Sequence, residues 1–239
     1  MAKDYYLIID TETTMADTVA DFGAVVVDRK GNVQTQCAVL VNGVFGIDPL
    51  FYIADENAQN LWSKQGKDRR FDKYNQMLEN GTRMLASIHA INRWLDRVKG
   101  KYNPTLTAYN LPFDTDKCAK TGIDLTMFDN SFCLWRVAFN KYAHTKAYKN
   151  FALSIHAFNN RTKLGNMSFQ TNAEVMTRFI TGQPDLEDEP HTALEDVMFY
   201  ELPILKAIMR SNTKKQMMAL NEEAFDWRKV QLKDHFTAK

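Results

Sequence analysis

Tyr5-Tyr6-Leu7-Ile8-Ile9-Asp10-Thr11-Glu12-Thr13-Thr14 decides how the rest of the 239-residue chain is read. Five apolar, β-favouring residues run without a break and end in a carboxylate. An uninterrupted apolar run of this length reads as a strand buried on both faces, which places it at the centre of a sheet. Side chains alternate along a strand, so Asp10 and Glu12 share one face, roughly 7 Å apart. Two carboxylates at the end of a buried strand are costly unless a cation meets them, and hard divalent ions take such oxygen ligands. The D-x-E pattern alone carries little. With 19 Asp and 10 Glu in 239 residues about one chance match is expected, and a second, Asp185-Leu-Glu187, lies in an acidic, proline-flanked stretch that reads as surface loop.

Working outward, residues 23–28 (Gly-Ala-Val-Val-Val-Asp) read as a second strand and residues 36–41 as a third. Arg29-Lys30-Gly31-Asn32 supplies turn chemistry, so the three form a meander. Residues 43–81 have no clean period and exceed a normal loop, which predicts an ordered insertion or a functional flap. Met84, Ile88, Ile91, Leu95 and Val98 recur in steps of four and three, predicting an amphipathic helix over 82–98 stopped by Gly100. Residues 104–109 read as a fourth strand, parallel to the first because a helix intervenes. A short helix over 113–121 closes at Gly122, and 125–132 offers a fifth strand. Capping boxes at Thr171-Asn-Ala-Glu174 and Thr192-Ala-Leu-Glu195 open two further helices. The first stops at Gly182; the second runs toward Arg210, with Pro203 expected to kink or interrupt it. The economical sum is one α/β domain over 1–239, a mixed five-stranded sheet flanked by helices. Its core covers about 4–210, with the insertion at 43–81 and a C-terminal helical extension over 211–239.

Composition is ordinary for a globular protein, 45% hydrophobic and 25% charged, which excludes disordered and collagen-like classes. Cys37, Cys118 and Cys133 are odd in number and widely spaced, as reduced thiols are. No stretch approaches the roughly 18 apolar residues of a membrane span, and the first apolar run is too short for a signal peptide, so a soluble, cytoplasmic protein without a membrane partner is expected. Net charge is +1, but its distribution is uneven. Between Asn130 and Ala173 there is no acid, yet there are six cations: Arg136, Lys141, Lys146, Lys149, Arg161 and Lys163. Rings such as Phe132, Trp135, Phe139, Tyr148 and Phe169 are interleaved with them. Cations that follow phosphates beside rings that stack on bases suit single-strand binding; the same rings also suit a core. Lys146 and Lys149 are the candidate phosphate contacts.

Two more groups of polar residues stand where a site would form. Asn110-Leu-Pro-Phe113-Asp114 follows the fourth strand, at the sheet end where open α/β sheets place their ligands. Asp114 would equally serve as the cap of the next helix. His191-Thr-Ala193-Leu-Glu-Asp196 is the third group. With Thr192 as N-cap, Asp196 sits one turn inside the helix and His191 stays on the entry loop, free to turn toward a ligand held by Asp196.

Together these three elements resemble the DEDDh 3′–5′ exonucleases of the ribonuclease H-like superfamily, relatives of proofreading subunits, oligoribonuclease and ribonuclease T. The family's D-x-E-T-T-G reads Asp10-Thr11-Glu12-Thr13-Thr14-Met15, with methionine in the glycine position. N-x-x-F-D reads Asn110 to Phe113-Asp114, and H-x-A-x-x-D is met by His191, Ala193 and Asp196. The resemblance implies a ribonuclease H-like fold and a phosphodiester hydrolase that uses two Mg²⁺ or Mn²⁺ ions per site. It implies Asp10 bridging both ions, Glu12 and Asp196 completing the first site, and Asp114 helping to hold the second. His191 is then the general base, suited by an ordinary pKa near 6.5. Thr11, Thr13, Asn110 and Phe113 would contact substrate, which is single-stranded DNA or RNA with a free 3′ end. Relatives also include homodimers. The alternatives are a catalytically silent nucleic-acid-binding or interaction module on the same fold, and an endonuclease of the same superfamily.

Overall fold

The computed structural model describes residues 4–52, 62–159 and 167–232. Its strands are β1 (Tyr5–Thr13), β2 (Val19–Asp28), β3 (Val33–Val41), β4 (Met84–Ala86), β5 (Thr105–Ala108), β6 (Ser131–Cys133) and the short pair β7 (Phe158–Asn159) and β8 (Ser168–Phe169). Its helices are α1 (Lys64–Glu79), α2 (Ile88–Tyr102), α3 (Leu111–Thr121), α4 (Leu134–Ala138), α5 (Lys146–Ser154), α6 (Ala173–Thr181), α7 (Ala193–Asp196), α8 (Leu202–Ser211) and α9 (Lys214–Glu222). Strands β4-β3-β2-β1-β5-β6 make one mixed sheet in that order. β1, β2 and β3 are the antiparallel meander; β5 joins β1, β6 joins β5 and β4 joins β3, all in parallel.

β1 is central because it has no face to give to water. Tyr6, Leu7, Ile8 and Ile9 are wholly buried. Alternation sends Tyr6 and Ile8 into one core with α4, α6 and α8, and Leu7 and Ile9 into another with α2 and α3. The meander turn works as its residues suggest: the Asp28 carboxylate accepts the N–H groups of Lys30 and Asn32 at 2.8 and 2.9 Å, and Gly31 takes φ 79°.

Several expectations are corrected. The sheet has six strands, not five, because Met84–Ala86 pairs with β3. Met84 fell in phase with the helical repeat that follows, but it is exposed, and the helix begins only after Ser87 caps it. That helix also passes through Gly100 and ends at Asn103, whose φ of 42° makes the left-handed cap directly before Pro104. The fifth expected strand is confined to Ser131–Cys133. The aperiodic insertion contains a 16-residue helix, α1, capped by the Ser63 hydroxyl at Gly66 N–H. Its buried residues are Gly66, Arg70 and Tyr74, so the face it turns inward carries a guanidinium and a phenol beside the partly buried Phe71, Met77 and Leu78. The extension packs on the body: α9 is opened by a Thr213–Gln216 capping box, and Asn221 accepts the Cys133 N–H at 2.8 Å.

The contact that positions the third motif is backbone to backbone. A Cβ on Gly23 would fall 2.3 Å from the Ala193 carbonyl carbon and 2.4 Å from Leu194 N. Glycine therefore lets the start of α7 rest directly on β2. Beside it, buried Asp21 accepts the Ala193 N–H at 2.9 Å and the Arg83 Nε–H at 3.3 Å, and Arg83 also pairs with Glu195. The expected side-chain cap from Thr192 is not made, and Asp21 meets the helix start instead.

Past Asp196 the helix widens into a π turn, Val197–Glu201, before α8. The interruption expected from Pro203 takes this form, since Pro203 has no N–H to offer the Phe199 carbonyl.

Gly23→Ala is expected to cost about 1–3 kcal/mol through overpacking against backbone that cannot yield. Gly100→Ala, where nothing lies within 4 Å of the added carbon, is expected to be neutral or to stabilise by up to about 1 kcal/mol. Urea unfolding of both variants checks this pair.

Candidate active site

The three motifs meet at the carboxyl end of β1. One cleft of about 420 Å³ is walled by Asp10, Thr11, Glu12 and Thr13 from β1, Asn110, Phe113 and Asp114 from the start of α3, and His191 and Asp196 from the α7 region. Phe51, Trp62, Glu189 and Glu201 also line it, with Asp17, Tyr109, Asn172 and Ala173. All five sequence-derived catalytic candidates are thus brought together.

Each side chain is placed by a local reason. Asp10 and Glu12 share a face of β1, as alternation requires. Asn110 precedes α3 and Pro112 lies in its first turn, so Asp114 is a first-turn residue rather than the cap. Asp114 is buried, and the Thr11 hydroxyl donates to its Oδ1 at 2.9 Å. Thr11 therefore orients a carboxylate from below and is itself buried. His191 adopts φ 50°, a left-handed conformation that turns its ring back toward β1. Its Nδ1 lies 3.8 Å from Glu12 Oε1, its ring meets the Trp62 ring edge-on at 4.6 Å, and its carbonyl accepts the Tyr74 hydroxyl at 3.3 Å. Glu12, His191 and Asp196 each offer a ligand atom, all within 4.8 Å of one another. Phe113 stands 41% exposed at the mouth, where a base could stack on it.

Two charged residues at or beside the cleft were not legible in the sequence, one a cation and one an acid. Arg70 of α1 is buried, ion-paired with Glu12 and stacked over Trp62 at 5.4 Å. It sits in a stretch without periodicity, where no pattern marks it. Glu201 also escapes, because five residues after Asp196 on a regular helix it would point about 140° away. Lys146 and Lys149 sit on α5 and do not wall the cleft. Arg161 and Lys163 lie outside the described residues. Phe132, Phe139, Tyr148 and Phe169 are core.

Electrostatically the cleft is short of positive charge. Burial first, and then Asp114, Glu201, Asp196 and Glu12, hold the Asp10 carboxyl well above its usual range. Burial and the charges of Glu12, Glu189 and Glu201 do the same to Asp196. Asp114 is pushed up to about 7 by burial, against the hydrogen bond from Thr11. Burial also raises Glu12, with Arg70 opposing it. His191 moves the other way, down to about 4, through burial and the nearby Arg70 and Lys73. The ring is accordingly neutral at pH 7, and less basic than the ordinary value near 6.5.

These residues fit a divalent cation. Asp196 Oδ1 and Glu201 Oε2 are buried without a hydrogen-bond partner, and carboxylate oxygens favour Mg²⁺ or Mn²⁺. No family model matches the chain, and no curated protein matches it significantly. Among the described residues no helix is long and apolar enough to cross a membrane.

Acids whose folded pKa is raised stabilise the fold least when ionised. Stability from these groups is fully present below their unfolded values near 4 and is lost as pH rises through about 7, the Asp114 value. In EDTA the melting temperature should therefore fall between pH 5 and pH 8. Mg²⁺ or Mn²⁺ should restore it, and more at pH 8 than at pH 5; at a hundredfold excess over Kd, binding adds about 2.7 kcal/mol of stability. Differential scanning fluorimetry across that pH range reads both effects.

Proposed function

We propose that this protein is a metal-dependent 3′–5′ exonuclease that hydrolyses single-stranded DNA or RNA to nucleoside 5′-monophosphates, built on a ribonuclease H-like fold. The observation that carries the reading is the convergence of Asp10, Glu12, Asp114, His191 and Asp196, from three separate stretches of chain, on one cleft. A mixed sheet with a three-stranded meander extended in parallel is compatible with that fold.

Asp10, Glu12, Asp114 and Asp196 would hold two Mg²⁺ or Mn²⁺ ions. Bound there, such ions activate water, neutralise phosphate charge and stabilise the leaving oxygen. The neutral His191 ring takes the proton of the attacking water, whose oxygen forms the new bond to phosphorus while the bond to the 3′ oxygen breaks. Its left-handed backbone and the Trp62 edge fix where that ring points. Thr11 keeps Asp114 turned inward. Phe113 offers a stacking face to the terminal base and Asn110 an exposed amide beside it. Thr13 lines the floor, its carbonyl accepting the Phe51 N–H at 2.8 Å.

One observation favours a silent binding module instead: the Arg70 guanidinium already occupies Glu12, where a cation would sit. The two readings separate on 5′-labelled single-stranded DNA and RNA with Mg²⁺, Mn²⁺ or EDTA. The exonuclease gives a metal-dependent ladder shortening from the 3′ end, abolished in Asp10→Ala and slowed about 10²–10⁴-fold in His191→Ala. Oligonucleotides left intact but still retained by the protein would establish the silent module.

A further inference from the structure

Glu201 has no part in the sequence motifs, yet it is 4% exposed and walls the same cleft. Its placement depends on the π turn. In a regular α-helix residues five apart diverge by about 140°, whereas a π turn closes i to i+5 and returns the fifth residue toward the face of the first. The turn over Val197–Glu201 thereby brings Glu201 round to the cleft that Asp196 faces. One oxygen has a defined job: Oε1 accepts the Tyr109 N–H at 3.1 Å, fixing the carboxylate to the end of β5, one residue before the Asn110–Asp114 motif. The other oxygen, Oε2, is buried and has no hydrogen-bond partner. A carboxylate pinned by one oxygen with the other bare and desolvated is one that a cation would satisfy.

We propose that Glu201 Oε2 is a protein ligand of the second cation, the one flanked by Asp10 and Asp114. The inference rests on the two-cation reading of the cleft and extends it. The nearby charges agree, since Asp114 and Glu201 are among the groups that raise Asp10. With Glu201 in the set the second site has three carboxylates from the chain itself. The ion then binds before nucleic acid arrives, rather than waiting for a substrate phosphate to complete its shell.

Mn²⁺ binding by the full chain without nucleic acid, read by electron paramagnetic resonance and calorimetry, tests this. Wild type should bind two ions. Glu201→Gln keeps the carbonyl acceptor for the Tyr109 N–H and removes only the charge, so it should retain one ion at unchanged affinity and lose at least tenfold in affinity for the other. Two ions bound equally well by Glu201→Gln would overturn the role of Glu201 while leaving the two-cation cleft intact. No Mn²⁺ bound by wild type would overturn both. Should Glu201→Gln not fold, anomalous diffraction from Mn²⁺-soaked wild-type crystals decides. A peak within about 2.6 Å of Glu201 Oε2 supports the assignment; a second ion seated on Asp10 and Asp114 away from Glu201 rejects it.

Discussion

The close approach of β2 and α7 is the constraint on which the site depends. Two backbones meet at Gly23 and Ala193 with no room for a methyl group between them, and buried Asp21 fastens the contact by accepting the Ala193 N–H. Arg83 neutralises Asp21 and continues to Glu195, so the helix that carries Asp196 is held at its start and along its side. His191, two residues before this anchor, inherits its position, and the Tyr74 hydroxyl on its carbonyl adds a tie from α1. Without that anchor, Glu12 on β1 and His191 and Asp196 on another element would not come within ligand distance of one another.

The second organising force is the cost of burying like charges. Asp10, Glu12, Asp114, Asp196 and Glu201 are gathered where water is scarce, and each has its carboxyl raised, chiefly by burial. A fold selected for stability alone would place apolar groups there, because desolvated charges without partners are unfavourable. The fold offsets part of the cost with Arg70 on Glu12 and with hydrogen bonds from Thr11 and Tyr109. What remains is a demand for cations. Arg70 meets it at one carboxylate, and the bare oxygens of Asp196 and Glu201 leave it unmet at others. The insertion is therefore electrostatically part of the cleft, since α1 brings Arg70, and Trp62 just before it packs on His191.

The sequence by itself determined the central strand, the meander, and the existence of helices α2 and α6, though not the ends of α2. It did so because apolar runs, alternation and helical spacing are local signals, which tertiary packing overrode only at the element ends. It also marked Asp10, Glu12, Asp114, His191 and Asp196, since carboxylates at a strand end stand out against the apolar run before them. Tertiary structure alone decided the rest. Met84–Ala86 became an edge strand because β3 offered it a partner, although its spacing matched the helix beyond. Phe132, Phe139, Tyr148 and Phe169 went to the core rather than to a binding face, a choice that composition leaves open. Arg70 reached Glu12 across 58 residues of chain, and Glu201 reached the cleft only because a π turn changed the angular count. Pairings of that kind depend on distance in space, and periodicity along a chain carries no record of it.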